Sequence, residues 1–191
     1  LIAFQGVIAG NIFQEGKSEV FNAGPFIQFS EEWSALLGLR MDLMSGLMSL
    51  LVTLFGTLIL MFSIDYMRED DSPVRYFASL SLFISAMLIL VLSENLVLLF
   101  LGWEGVGLCS YLLIGHEWRK SGVPLAAYRA FFVNRIGDLF FILGVFLLLK
   151  TLGTVSFSGM SQKFETMSGS LDPLARRDLL MASFLLLGGA F

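Results

Sequence analysis

Leu96-Val97-Leu98-Leu99-Phe100-Leu101-Gly102-Trp103-Glu104-Gly105-Val106-Gly107-Leu108-Cys109-Ser110-Tyr111-Leu112-Leu113-Ile114-Gly115 is the stretch whose reading decides the fold. Its 20 residues match the ~20 that an α-helix needs to cross the hydrocarbon core of a bilayer. One carboxylate, Glu104, stands near the middle. A charge at that depth costs roughly 2.5–3.5 kcal/mol on insertion scales, so an acid kept there is expected to be used. Gly107, Leu108 and Tyr111 fall on the helix face of Glu104. Gly102, Gly105, Gly107 and Ser110 are small enough to let neighbouring helices approach closely. Gly107 also leaves room beside the acid for water or a partner side chain.

The rest of the chain repeats this pattern. It is 56% hydrophobic and 15% charged, against about 45–50% apolar content in an ordinary soluble domain. The expected class is therefore all-α, a polytopic bundle of membrane helices in contact with lipid. A net charge of −4 without a basic patch argues against nucleic acid. The single cysteine, Cys109, excludes an internal disulfide and reads as a small packing residue. One His and one Cys supply neither a zinc site nor a haem ligand pair. No Gly-rich loop ends in Lys-Ser or Lys-Thr. No cofactor, metal or electron carrier is expected on this chain.

Outward from the central stretch, residues 1–13 read as the end of a membrane helix whose start is missing, and 14–42 as an extramembrane loop. Within that loop Phe26-Ile27-Gln28-Phe29 has the pattern of a short strand or hairpin edge, and Glu31-Glu32 reads as a solvated acidic pair. Spans are expected at 43–64, 76–93, 96–116 and 125–149, separated by polar loops at 65–75 and 117–124. A third polar loop covers 150–178, and 179–191 begins a further span. Asp42 sits where an acid caps a helix. Ser93-Glu94-Asn95 is the only turn chemistry between Tyr76 and His116, which makes Glu94 a solvated turn residue. Leu1 is not Met, and Phe191 falls inside an apolar run. The chain thus reads as part of a longer protein, and the lack of a basic segment before Leu1 makes a signal peptide unexpected. Loop charge orients the bundle: Arg68, Arg75, Arg119 and Lys120 crowd two short loops, which are placed in the cytoplasm, with 150–178 on the periplasmic side.

Span four carries the other buried charges. Asp138 lies near its middle, and Asn134 and Arg135 precede it by four and three residues on one side of the helix. A carboxylate in low dielectric holds its proton, and a nearby cation loosens it. A group between these influences can load and release a proton when a partner moves. Ionisable residues facing a bundle interior are by default candidates for an ion pathway. The proton-translocation candidates are Glu104, Asp138 and Arg135, with His116 and Asn134 secondary. A second reading stands beside this one: Arg135 neutralises Glu104 or Asp138 and simply pins two helices together. His116, at a span's end beside Glu117 and Trp118, reads equally as an interfacial, solvated His. Trp103 and Tyr111 read as packing residues.

The run Leu99–Gly115 resembles the signature span of the distal antiporter-like subunit L (chain 5 in mitochondria) of respiratory complex I, the NADH:quinone oxidoreductase. Phe132-Val133-Asn134-Arg135-Ile136-Gly137-Asp138 is similar to the family's next signature, and Arg40-Met41-Asp42-Leu43-Met44-Ser45 to the start of an early helix. The resemblance runs from about Arg40 to Leu149. It implies an antiporter-like transporter fold with inverted repeats, of which this chain covers part of the first. It implies that Glu104 is a proton-pathway residue paired with a lysine a few residues beyond Phe191, and that Asp138 tunes the pair. NADH, FMN, iron–sulfur clusters and quinone belong to other subunits of such a complex, whose membrane subunits are the implied partners. The implied location is a bacterial inner membrane, or the mitochondrial inner membrane. After Gly115 the family usually continues with aromatics, where this chain has His116-Glu117-Trp118. A multisubunit Na⁺/H⁺ antiporter, a hydrogenase- or bicarbonate-linked relative, and a structural membrane anchor with static ion pairs are the alternatives.

Overall fold

The computed structural model describes residues 19–28, 34–167 and 172–190. The run 1–13 and the pair Glu31-Glu32 lie outside them. Two antiparallel strands, β1 (Glu19–Gln28) and β2 (Ser34–Met41), precede six helices among the described residues. These are α1 (Leu43–Tyr66), α2 (Pro73–Leu92), α3 (Leu96–Ile114), α4 (Val123–Leu152), α5 (Phe157–Met167) and α6 (Pro173–Ala190). The first four are long and apolar enough to cross a membrane.

Local chemistry sets the helix starts. Asp42 caps α1: its carboxylate accepts from the Ser45 N–H at 2.8 Å, and the Ser45 hydroxyl accepts from the Asp42 N–H at 2.8 Å. That reciprocal pair satisfies two of the helix's free N-terminal donors. Pro73 opens α2, where a missing N–H costs nothing. The Asn95 side chain accepts from Leu98 N at 2.8 Å and starts α3. Gly153 ends α4 in the left-handed region, at φ 66°, which glycine adopts freely.

The packing inverts the arrangement of a soluble protein. The buried residues of α1 are Ser49, Gly56 and Ser63, while Met44, Phe55, Phe62 and Ile64 point outward. Lipid solvates apolar side chains as well as the protein interior does, so close approach of small residues holds the helices together. A Cβ on Gly102 of α3 would meet the Leu90 backbone nitrogen of α2 at 2.6 Å, and one on Gly105 would meet the Ala86 Cβ at 2.9 Å. Gly137 of α4 and Gly189 of α6 approach as closely through their carbonyls. The helices thus pair as α1 on α2, α2 on α3, α3 on α4 and α4 on α6.

Two segments read as loops carry regular structure. Residues 14–42 contain the β1–β2 hairpin, and its described portion includes Phe26–Gln28. Residues 150–178 contain the last turn of α4, all of α5 and the start of α6. Phe157 and Met160 of α5 pack with Leu96, Leu152 and Leu179, and Lys163 donates to the Leu152 carbonyl at the end of α4. A short polar helix gains its stability from such tertiary contacts rather than from propensity, so its sequence alone reads as loop.

Glu94 is a correction. Far from being solvated, it is 5% exposed. The turn it occupies is stitched between two other segments. Glu94 N donates to the Gly38 carbonyl of β2 at 3.0 Å, and Phe157 N donates to the Glu94 carbonyl at 3.0 Å. The Glu94 carboxylate accepts from Ser156 Oγ and from Ser158 N, each at 3.2 Å. Turn chemistry alone places the residue between spans. Only the fold brings two distant segments over it.

Candidate functional site

The two central acids meet one cation. Glu104 sits eight residues into α3, about 12 Å from its start at 1.5 Å per residue, and so lies deep in the span. Arg135 of α4 forms an ion pair with Glu104, and the same guanidinium nitrogen lies 3.3 Å from Asp138 Oδ2. One arginine therefore bridges an acid from each of two helices. Its guanidinium rests 4.4 Å from the centre of the Phe131 ring, an arrangement that steadies a cation.

Asp138 is the more enclosed acid, 5% exposed. Its second oxygen, Oδ1, accepts from the Trp103 indole N–H at 3.0 Å. Trp103 is stacked on Phe141, with ring centres 6.1 Å apart. The reading of Trp103 as packing alone is thus incomplete, because its polar edge fastens Asp138. The available signal was its place next to Glu104: consecutive residues on α3 reach residues three apart on α4. Tyr111 packs on Phe131 at 5.2 Å between ring centres, and Cys109 is fully buried.

Glu104, Arg135 and Asp138 line a cavity of about 480 Å³. Gly107 opens onto it with nothing within 4 Å of a Cβ placed there. Asn134 lines the same cavity, but the ion pairs are made by Arg135. Gly188, Gly189 and Ala190, at the end of α6, form another part of the wall.

His116 lies at the far end of α3 and is not part of this group. Its side chain is only 10% exposed, with Nε2 3.1 Å from Asp70 Oδ1. Its ring meets Tyr76 edge-on at 5.5 Å, and Arg75 donates to its carbonyl. The residue is thus enclosed in a cluster rather than merely solvated. The Ser72 backbone N–H, followed by the His116 side chain, holds the Asp70 carboxyl below the usual range. Among the described residues, no group of three or more His, Cys, Asp or Glu side chains is placed to hold a metal ion.

A family model described as NADH:quinone oxidoreductase/Mrp antiporter, TM, matches residues 93–190. A second, described as NADH-Ubiquinone oxidoreductase (complex I), chain 5 N-terminus, matches residues 26–77. The chain is similar to NADH-quinone oxidoreductase subunit L of Escherichia coli (strain K12), with 43% identity over 156 residues, 80% of this chain and 24% of that protein. The corresponding subunit of Mycobacterium tuberculosis (strain ATCC 25618 / H37Rv) is 46% identical over 123 residues, 64% of this chain and 19% of that protein. NAD(P)H-quinone oxidoreductase subunit 5, chloroplastic, of Adiantum capillus-veneris is 39% identical over 155 residues, 80% of this chain and 21% of that protein. In fold, the Mrp complex from Dietzia sp. DQ12-45-1b superposes with a TM-score of 0.73 at 23% identity, over 98% of this chain and 20% of that chain. The chain spans about a quarter or less of the length of these relatives.

Proposed function

The chain belongs to the NADH:quinone oxidoreductase/Mrp antiporter family of membrane proteins, and from that premise we propose that it is part of a proton-translocating subunit of an NADH:quinone oxidoreductase. Four membrane-length helices and bacterial subunit L relatives make it a multi-pass inner-membrane protein. The observation that carries the reading is the Glu104–Arg135–Asp138 bridge beside a cavity.

In the proposed mechanism Glu104 is the exchangeable site. Asp138 has both oxygens engaged, by Trp103 and Arg135, and serves as the fixed anion. Glu104 is a quarter exposed and shares Arg135. When Arg135 leans towards Glu104, the ionised carboxylate is favoured; when the cation is drawn away, the acid takes up a proton. The family resemblance expects the competing charge to be a lysine, and the cavity wall at Gly188–Ala190 is where α6 would deliver it. Quinone reduction, with NADH, FMN and iron–sulfur clusters, is assigned to other subunits. The loops at 65–75 and 117–124 are proposed to face the cytoplasm.

Glu104→Gln in the full-length subunit, assembled in its complex and assayed in sealed vesicles, is expected to abolish proton translocation while the complex stays assembled. Retained translocation removes the reading. A sodium requirement would instead favour an antiporter relative. The same bridge also fits a static pin between helices. A pin predicts lost assembly in Glu104→Gln; the transport reading predicts an assembled complex that does not translocate protons.

A further inference from the structure

The two protonation states of Glu104 need different partners. The ionised carboxylate has Arg135. A neutral carboxyl carries an O–H donor, and a guanidinium has donors only, so Arg135 cannot receive that proton. Leaving the O–H unpaired away from water is costly. Among the described residues, few other polar side chains line the cavity. Asp138 has one oxygen engaged by Trp103 and the other by Arg135. The Trp103 indole is a donor only. Ser110 stands six residues along α3, off the face of Glu104, with its hydroxyl donating to the Gly107 carbonyl at 2.8 Å. Asn134 remains. Its carboxamide makes no hydrogen bond among the described residues.

The packing puts open space between the two side chains. Trp103 reaches Asp138, and further along α3 Tyr111 packs on Phe131. The helices therefore run antiparallel at this contact, and Gly107, halfway between Trp103 and Tyr111, stands level with Asn134. Gly107 is also three residues from Glu104 and shares its face. A Cβ placed on Gly107 meets nothing within 4 Å. The gap left by that glycine is one helix turn deep, about 5.4 Å, within reach of a glutamate on one side and an asparagine on the other. Asn134 lies near the middle of the 30-residue α4, where polar side chains hydrogen-bond across helices.

We propose that Asn134 holds Glu104 in its proton-loaded form: the neutral carboxyl turns across the Gly107 gap, donates its O–H to the Asn134 carbonyl oxygen and accepts from the Asn134 amide. The proposal rests on the reading of Glu104 as a proton carrier and adds the partner of its neutral state. On loading, a hydronium proton forms the O–H bond on Glu104 and leaves water behind. The ion pair with Arg135 is released, and Arg135 stays with Asp138, 3.3 Å away. On unloading the proton returns to water and Glu104 swings back to Arg135. The carboxamide and the guanidinium sit on adjacent residues of α4, so the acid changes partner without either helix moving.

The test uses the full-length subunit in its assembled complex. Infrared difference spectra between acid and alkaline samples identify the carbonyl band of neutral Glu104 as the one that Glu104→Gln removes. Asn134→Leu, which keeps the size and loses the amide, is expected to move that band to higher frequency, because the carbonyl loses its donor, and to slow proton translocation in sealed vesicles several-fold. Asn134→Gln keeps the carboxamide and should leave both close to wild type. A Glu104 band that stays in place in Asn134→Leu overturns the proposal, whatever happens to translocation. If Asn134→Leu does not assemble, Gly107→Val takes its place: it fills the gap with Asn134 intact and should move the band the same way, and an unmoved band overturns the proposal there too. If Glu104→Gln removes no band, Glu104 takes up no proton and the functional reading fails, with this proposal; if the band is removed by Glu104→Gln and unmoved by the others, only the partnership with Asn134 fails.

Discussion

Trp103 and Asp138 are joined across α3 and α4 by a 3.0 Å hydrogen bond from the indole N–H to the carboxylate, one residue away from the ion pair between Glu104 and Arg135. The helices are therefore fastened at two adjacent points of unlike character. One is a neutral donor on a buried acid, and the other is a cation shared between two acids. Trp103→Phe keeps an aromatic ring at the position but removes the N–H together with part of the ring system that stacks on Phe141. It leaves a buried acceptor oxygen short of a partner, at about 1–3 kcal/mol. The expected outcome is an assembled subunit with lowered thermal resistance, followed by loss of assembly on heating.

Arg135→Lys and Arg135→Gln should differ sharply. A lysine retains charge but lacks the planar guanidinium that lies over the Phe131 ring, so proton translocation falls while assembly survives. Gln leaves Asp138 buried and unpaired, a loss of about 3–5 kcal/mol for a broken buried pair. Assembly by native gel and pumping in vesicles, measured on the same preparations, separate the two.

Glu94 tests the stitch between hairpin, α3 and the α4–α5 connection. Glu94→Gln still offers a carbonyl oxygen to Ser156 and Ser158, and Glu94→Ala offers none. Hydrogen exchange at Phe157 and Ser158 is expected to rise markedly in the alanine variant and little in the glutamine variant. Equal exchange in both would contradict the contacts.

The Asp70–His116 contact carries a pH dependence of definite sign. The folded Asp70 carboxyl lies below its ordinary value, which is about 3.9 for an unfolded Asp. Its contribution is complete above that value and is lost as pH falls through the lowered folded one. Hydrogen exchange of peptides covering 65–75 and 115–120, corrected for intrinsic rates, should therefore rise at acid pH in the wild type. Asp70→Asn should show the raised exchange at neutral pH already.

Gly102→Ala and Gly107→Ala form a matched pair on α3. The first places a methyl against the Leu90 backbone, and the second places it in open space. Overpacking against backbone costs about 1–3 kcal/mol. Gly102→Ala is expected to lower the yield of assembled complex, and Gly107→Ala to leave yield unchanged.

The membrane class and the helical architecture were legible because lipid imposes a plain rule. Apolar runs of spanning length must be helices, since no water is present to satisfy their backbone. The depth of Glu104 followed from the same rule, through the single turn at Ser93–Asn95. The capping role of Asp42 was readable because it depends on Ser45, three residues away. The burial of Glu94 was not readable, because its partners Ser156 and Ser158 lie more than sixty residues along the chain. Nor was the enclosure of His116, which rests on Asp70 and Tyr76 from another helix and its loop.

Hydrophobic runs and the turn between them determined on their own which acids lie within helices of membrane-spanning length, since position follows from counting residues along a helix. Which of those acids has both oxygens held by neighbouring side chains was decided only in three dimensions. The packing of α3 against α4 brings the Trp103 N–H to Asp138 and Arg135 to Glu104, while the Arg135–Asp138 pair lies within α4. Both contacts between the helices join residues far apart along the chain, and no local pattern encodes them.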